Sequence, residues 1–421
     1  MSTYQNNVRP YVMWSFPLIF FAFQFILRLW PGLMMHQIMA QFSIDASQFG
    51  IIAAFYYYGY SSMQIPVALL LDRYGARIIV FVFAMLCGFA TLMFTYTNSF
   101  YFACLSRLLV GVGSAVGFLG ISKVVSEWFA NQQYTKMIGL SFTVGLMGAI
   151  YGGKPISLLI ESNHWQNVAV TLAMISMLIG CGAYVALRTP AKQNAAIKEP
   201  FKLSDFKTIL TSADMWLLAL ANLLMVGSLE GFSDVWGVPY LMTAYAISKS
   251  DAAQLISFVF FGMLFGGPLL ALCSKKLGNY AVIALCGLGM ALAFIMILLS
   301  QQYHWWLLAG LFFGIGVLCC YQVIVFATGS TFVKAHYLGV TIAFLNCINM
   351  LGGSFFHTLI GRLIDLFWNG TLNHDGTRLY SLTAYQSALI VIPVCAALGA
   401  MIICFLSLKR SRIDRNRLQL R

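Results

Sequence analysis

Asp72-Arg73-Tyr74-Gly75-Ala76-Arg77 fills the short gap between two apolar runs, 47–71 and 77–97. Each run is long enough to cross a bilayer, so the gap has to be a tight, charged turn at the membrane surface. Gly75 permits the turn, Arg73 and Arg77 hold it at an anionic cytoplasmic face, and Asp72 is expected to end the preceding helix.

Outward from this turn the pattern repeats along the chain. Apolar runs of spanning length cover 11–39, 47–71, 77–97, 100–122, 137–160 and 166–187, then 213–243, 251–273, 280–300, 304–332, 337–366 and 383–408. Six and six runs imply an all-α membrane protein of twelve transmembrane helices in two pseudo-symmetric halves. The expected organisation is a bundle over 1–187, a cytoplasmic linker over 188–212, a second bundle over 213–408 and a basic tail over 409–421. The linker holds Pro190, Pro200 and the basic residues Arg188, Lys192, Lys198, Lys202 and Lys207. Its Phe201, Leu203, Phe206 and Ile209 predict a short surface helix. A weak internal repeat links the halves: Ala68, Asp72, Arg73 and Gly75 align with Ala271, Lys275, Lys276 and Gly278.

Composition agrees. Hydrophobic residues make up 60% of the 421 and charged residues 9%, too apolar for a soluble chain of this size. The net charge of +12 does not form a patch among aromatics, so nucleic acid is not an expected partner; the bilayer is. With both termini inside, Lys249, Arg362 and Arg378 fall outside and Arg28, Arg107 and Lys154 fall within spans. That leaves nineteen of the 25 Lys and Arg residues on cytoplasmic segments, an asymmetry that supports twelve helices with an even topology. The ten cysteines all lie in apolar runs without metal spacing and read as packing residues.

Three stretches resemble the major facilitator superfamily of transporters. The first is the loop Asp72-Arg73-x-Gly75-x-Arg77, with Ala68 where the family usually has Gly. The second is Arg107-Leu-Leu-Val-Gly111-Val-Gly113 in span four, similar to the family's R-x-x-x-G-x-G, followed by the Trp128-Phe129 turn. The third is the glycine-rich Gly145 to Gly153 stretch of span five, with Ala149 in place of the family's Pro. The resemblance implies twelve helices working by alternating access, with Asp72, Arg73, Gly75 and Arg77 as a conformational gate. It also implies a structural or proton-coupling role for Arg107. Physically, glycines at intervals of three and four let helices pack closely.

Ionisable groups in a hydrocarbon slab are costly, so each needs a partner, a cavity or a task. Arg28 lies near the middle of span one between Pro17 and Pro31; the resemblance to organic-anion and sugar-phosphate transporters implies an anion-binding role for it, with a structural ion pair to a neighbouring acid as the alternative. Lys154 follows the Gly152-Gly153 pair in span five and either snorkels or lines a cavity. Glu230 and Asp234 lie four apart in span seven, on one helical face; two carboxylates so close in low dielectric are expected to share a proton. Gly227, Gly231, Gly237 and Pro239 around them predict an interrupted helix. Tyr56, Tyr57, Tyr60 and Gln64 of span two, Tyr321 and Gln322 of span ten, and Asn346, Asn349 and His357 of span eleven are the polar residues available to a substrate. A lone His such as His357 reads first as a hydrogen-bonded packing residue.

No G-x-x-x-x-G-K-[S/T], G-x-S-x-G or H-E-x-x-H is present, so neither an ATP drive nor an enzyme is expected, and no cofactor or metal is implied. The leading expectation is a secondary active transporter, acting as a monomer in a bacterial inner membrane. It would import a small polar organic solute, amino-acid-, peptide- or carboxylate-like, with protons as coupling ion. Alternatives are an organic-anion carrier, a proton-driven efflux pump for amphiphilic compounds, and a non-transporting receptor.

Overall fold

The computed structural model describes residues 8–188, 210–300, 302, 304–333, 337–373 and 376–419, without the side chains of 131, 338 and 411–419. The expected surface helix of the linker, with Lys192, Lys198, Lys202 and Lys207, lies outside the described residues. So do the side chains of Arg412, Arg415, Arg417 and Arg421.

Eleven helices among the described residues are long and apolar enough to cross a membrane. One of them, Ala46–Tyr96, has 51 residues and breaks at Gly75, so it contains two spans and brings the crossings to twelve. The break corrects one detail of the sequence reading: the helix does not end at Asp72 but runs on to Gly75, where φ is 77° and ψ 163°. Only glycine tolerates that backbone region without strain. Gly278, its counterpart in the internal repeat, has nearly the same conformation at φ 84° and ψ 155°, and the next helix starts at Asn279. Lys275 and Lys276 fill the last turn before it, where cations complement exposed carbonyls.

Two compact units are present among the described residues, one from Met1–Phe42 with Phe55–Lys198, the other from Ser43–Ala54 with Glu199–Arg421. In the first, helix α1 (Arg9–Leu33) is the central element; after it come α2 (Met35–Phe42), α3 (Ala46–Tyr96, its residues up to Ala54 counted with the second unit), α4 (Phe100–Ser114), α5 (Val116–Trp128) and α6 (Asn131–Tyr151). Helices α7 (Lys154–Ser162) and α8 (Trp165–Ala186) complete that unit. Leu18 and Phe21 of α1 bury against Ile121 and Val125 of α5 and Met137 of α6.

The second unit continues with α9 (Ala213–Met225), α10 (Gly237–Tyr245), α11 (Lys249–Leu277), α12 (Asn279–Leu299) and α13 (Trp305–Cys319). It closes with α14 (Tyr321–Ser330), α15 (Leu338–Leu366), α16 (Leu382–Leu389) and α17 (Val391–Gln419). Here α11 packs on α13, and α12 on α17.

The repeat goes deeper than the sequence alignment. A Cβ on Gly59 would lie 2.1 Å from the Leu108 carbonyl oxygen, and one on Gly111 2.0 Å from that of Tyr56, so α3 and α4 touch backbone to backbone. In the second unit, Gly262 meets the Phe313 carbonyl at 2.0 Å and Gly316 that of Val259 at 1.9 Å. Gly59 and Gly262 are separated by the same interval as Gly75 and Gly278. Each unit therefore locks the same pair of helices with a reciprocal glycine pair.

Gly75→Ala and Gly278→Ala should each lower stability by about 1–3 kcal/mol, because an L side chain is strained there. Gly139→Ala, in a helix with nothing within 4 Å of the new methyl, should be neutral or slightly stabilising. Thermal unfolding of the three variants in detergent checks this; equal midpoints for all three would show that neither turn needs glycine.

Candidate functional site

In the first unit, the cations of spans one and four meet a wall of tyrosine. Tyr56 and Tyr60 are one turn apart on α3 and stack at 6.1 Å with rings 21° from parallel; Tyr57 packs edge-on against Tyr56 at 5.5 Å. Arg28 is half-buried, its Cζ 5.3 Å from the Tyr57 ring and 5.8 Å from that of Phe25. Arg107 is 2% exposed, with its Cζ 5.0 Å from the Tyr56 ring. Ring faces at these distances offset part of the cost of dehydrating a guanidinium. Arg107 also donates from Nη1 to the Leu27 carbonyl at 2.9 Å and from Nη2 to the Arg28 carbonyl at 3.4 Å. The two arginines are thus neighbours through the backbone of α1. Lys154, read as lying within a continuous span, instead opens α7 after a break at Gly152–Gly153, and is half-buried.

In the second unit, the interruption expected in span seven takes a specific form. Between α9 and α10 the chain is a π-helix over Gly227–Trp236. Its wider turn joins Gly237 N–H to the Phe232 carbonyl and Ser233 Oγ to the Ser228 carbonyl at 3.1 Å, both five residues back. The Phe356 ring lies beside Gly227 and Gly231: a Cβ would come within 2.6 and 2.7 Å of Phe356 at these positions. All ten residues are buried, with Glu230 2% and Asp234 4% exposed. The two acids are therefore spaced along a π turn rather than the α turn assumed from sequence. His357, on α15, directs Nε2 to the Glu230 carbonyl, so that nitrogen carries the hydrogen.

Tyr321 is fully buried and its hydroxyl donates to the Asn222 carbonyl at 3.1 Å. Asn349 donates to Gln322 Oε1 at 3.3 Å, and among the described residues Gln322 Nε2 and Asn349 Oδ1 have no hydrogen-bond partner; Asn346 is half-buried nearby in sequence on α15. Asn222, which sequence reading overlooked, is wholly buried, and neither of its amide atoms has a hydrogen-bond partner among the described residues. Its only signal was an amide alone in the apolar run from Ala213.

The loop residues are held within the first unit. Asp72, exposed, accepts from Lys123 Nζ at 2.8 Å, and Lys123 lies 3.3 Å from Glu127 on the same helix. Arg77 donates through Nε to the Tyr184 carbonyl at 2.7 Å and stacks on that ring at 4.5 Å; Arg73 lies over Tyr74 at 5.2 Å. Lys123 carried no motif that marked it as the partner of Asp72.

A second unsignalled cluster caps the start of α3 in the second unit. Asp365 accepts from the Ser47 N–H at 2.6 Å, from the Ser47 and Tyr380 hydroxyls, and from Arg378 Nη1 at 3.0 Å. The Tyr380 hydroxyl in turn accepts from Ala46 N–H at 3.0 Å, and Asp45 lies 3.5 Å from Arg378. Burial works against the Arg378 charge, but Asp365 and Asp45 outweigh it and hold its pKa above the usual arginine value.

Residues 15–357 match the profile of the Major Facilitator Superfamily. The "Uncharacterized transporter YybO" of Bacillus subtilis (strain 168) is 24% identical over 264 residues, covering 57% of this chain and 60% of that protein. The "Probable L-galactonate transporter" of Escherichia coli (strain K12) is 21% identical over 258 residues, 55% of this chain and 54% of that one. These two are therefore matched over little more than half their length. The "Probable galactarate/D-glucarate transporter GudP" of Escherichia coli (strain K12) is 22% identical over 393 residues, 83% of this chain and 86% of that one. Among solved structures, a bacterial homolog of the human lysosomal transporter Spinster, inward-facing and occupied, superposes with TM-score 0.76 at 17% identity over 96% of this chain and 97% of that one. A point mutant of the nucleoside transporter NupG gives TM-score 0.77 at 12% identity over 94% and 99%.

Asp365→Asn should cost about 1.5–3 kcal/mol, because a carboxylate with several donors is replaced by an amide that repels some of them. Tyr380→Phe, losing one hydroxyl, should cost about 0.5–1.5 kcal/mol. Thermal unfolding in detergent gives both; an Asp365→Asn effect no larger than that of Tyr380→Phe would show that the carboxylate charge contributes nothing.

Proposed function

Because this chain belongs to the Major Facilitator Superfamily, it is a multi-pass membrane transporter and not an enzyme, and we propose that it imports a small carboxylate-bearing organic solute together with protons. Arg28 is the observation that carries this reading. A guanidinium in the first span, half-buried on the faces of Phe25 and Tyr57, offers a planar donor fork to a carboxylate. Its setting is apolar enough for such a contact to be strong. The relatives whose names specify galactonate, galactarate or glucarate favour sugar-acid-like solutes over amino acids and peptides. In the solute's recognition, Tyr56, Tyr60, Gln322, Asn346 and Lys154 are the further candidates, whereas the Tyr321 hydroxyl is already engaged by Asn222.

Glu230 and Asp234 are the proposed proton carriers. Both are buried in a π-helix, where two ionised carboxylates at this spacing would repel in low dielectric. The distribution of Lys and Arg supports an inner bacterial membrane with cytoplasmic termini.

Proteoliposomes loaded without substrate should accumulate galactarate, D-glucarate or L-galactonate when given an inward proton gradient, and much less without it. Arg28→Lys should weaken equilibrium binding of the transported acid roughly 30-fold or more, the cost of losing one charged contact in a water-poor setting. Glu230→Gln or Asp234→Asn should abolish gradient-driven accumulation and spare exchange of preloaded substrate. Uptake that ignores the gradient in wild type overturns proton coupling, and equal dissociation constants for wild type and Arg28→Lys overturn the anion role of Arg28.

A further inference from the structure

Pro31 lies inside α1, three residues beyond Arg28. It has no N–H, and its ring pushes away the carbonyl four residues earlier, so the Leu27 oxygen loses its intrahelical donor. Leu27 is fully buried. No water is at hand in a hydrocarbon slab, and an unbonded carbonyl there costs several kcal/mol, by order of magnitude. The donor that reaches this oxygen is Arg107 Nη1, at 2.9 Å, while Nη2 of the same fork reaches the next carbonyl, that of Arg28, at 3.4 Å.

Arg107 is itself firmly placed. It lies on α4, which touches α3 backbone to backbone through Gly59 and Gly111, and its cation rests on the Tyr56 ring. Tyr56 adjoins Tyr57, the ring beneath Arg28. The proline opening in α1, the arginine of α4 and the tyrosines of α3 therefore fix both ends of Arg28: its backbone through Arg107, its side chain through Tyr57. A lysine in place of Arg107 has a single nitrogen and no fork to span two successive carbonyls.

We propose that Arg107 is a positioning residue: it occupies the carbonyl that Pro31 vacates and thereby sets where Arg28 presents its guanidinium to the carboxylate. The proposal rests on the anion-binding reading of Arg28 for its consequence, though not for its geometry. Of the two roles expected for Arg107, structural or proton-coupling, it takes up the structural one and leaves pH dependence alone.

The geometry makes Pro31 and Arg107 interdependent. Pro31→Ala supplies an N–H to Leu27, so the loss caused by Arg107→Met should shrink in that background. The first measurement is a thermal-unfolding cycle on the full chain in detergent: wild type, Pro31→Ala, Arg107→Met and the double variant. The midpoint drop caused by Arg107→Met should be cut by at least half in the Pro31→Ala background; additive drops overturn the proposal. This cycle uses no substrate, so it stands whether or not the carboxylate reading does. Should Arg107→Met not fold alone, recovery of folded protein in the double variant is the same result, and Arg107→Lys supplies a milder single variant for the cycle.

The second measurement is equilibrium binding of radiolabelled galactarate across pH. Wild type that binds no galactarate counts against the carboxylate reading, and the first cycle then decides the proposal alone. Where wild type binds, Arg107→Met should weaken affinity about tenfold, the equivalent of one charged hydrogen bond. The pH profile should keep its shape, and Pro31→Ala should recover part of the loss. A shifted pH profile with affinity retained at the optimum would make Arg107 a coupling residue and overturn the proposal.

Discussion

A peptide carbonyl in hydrocarbon has no water to turn to, and this constraint organises the structure wherever a span departs from an ideal helix. The spans depart often. Span one breaks at Met34, span four at Ala115, span five at Gly152–Gly153, span seven through the π-helix and span ten at Cys320. At each, the groups released from the helical ladder are taken up locally. Met34 N–H returns to the Pro31 carbonyl, Ala115 N–H is shared between Gly111 and Val112, and Cys320 N–H returns to Val317. Where Pro31 removes the local donor, a side chain from another helix supplies one, Arg107 to the Leu27 carbonyl; Tyr321 and His357 likewise reach the backbone carbonyls of Asn222 and Glu230. Polar side chains in the spans are thus used first to complete the backbone, and only the remainder are available to a solute.

That accounting changes how charge should be read in such a chain. Arg28 and Arg107 look alike in sequence, single cations in apolar runs. Their surroundings separate them: one is half-buried on aromatic faces, while the other is 2% exposed with its fork turned to two carbonyls. Glu230 and Asp234 differ again, because their helix carries an extra residue per hydrogen-bonded ring and their neighbours Gly227 and Gly231 leave room for Phe356. An acid pair on such a turn sits in a backbone with an alternative register close by, since a π segment and an α segment differ only by which carbonyl each N–H selects.

The fold was legible in the sequence because hydropathy and turn glycines report directly on a bilayer. Twelve runs, the turn at Gly75 and its echo at Gly278 were all readable, and the two glycines share one backbone conformation. What the sequence did not disclose were pairings that depend on third dimensions rather than on pattern. Lys123 opposite Asp72, Asp365 over Ser47, and Asn222 beneath Tyr321 are each separated widely along the chain and carry no spacing rule. Of the glycine pair, Gly111 was marked by its motif, but its partner Gly59 was silent, since one such residue alone is only a small one; its meaning comes from the carbonyl that it faces. The π-helix was half legible: glycines and a proline announced an irregularity without its type.

The cap on α3 shows how the same constraint acts at a membrane-facing end. The first N–H groups of a helix have no partners of their own, and here Ser47 and Ala46 receive Asp365 and Tyr380 from elsewhere in the second unit. The carboxylate also complements the positive end of the helix dipole, and Arg378 balances its charge. A borrowed cap differs from a local one in that it ties the helix end to α15 and to the loop that follows it. Within the first unit, the stretch of α3 from Phe55 is held by glycine contacts with α4 and closes at Gly75 in a turn that only glycine accepts. The tyrosine wall lies on this stretch, and it inherits the rigidity of those backbone contacts.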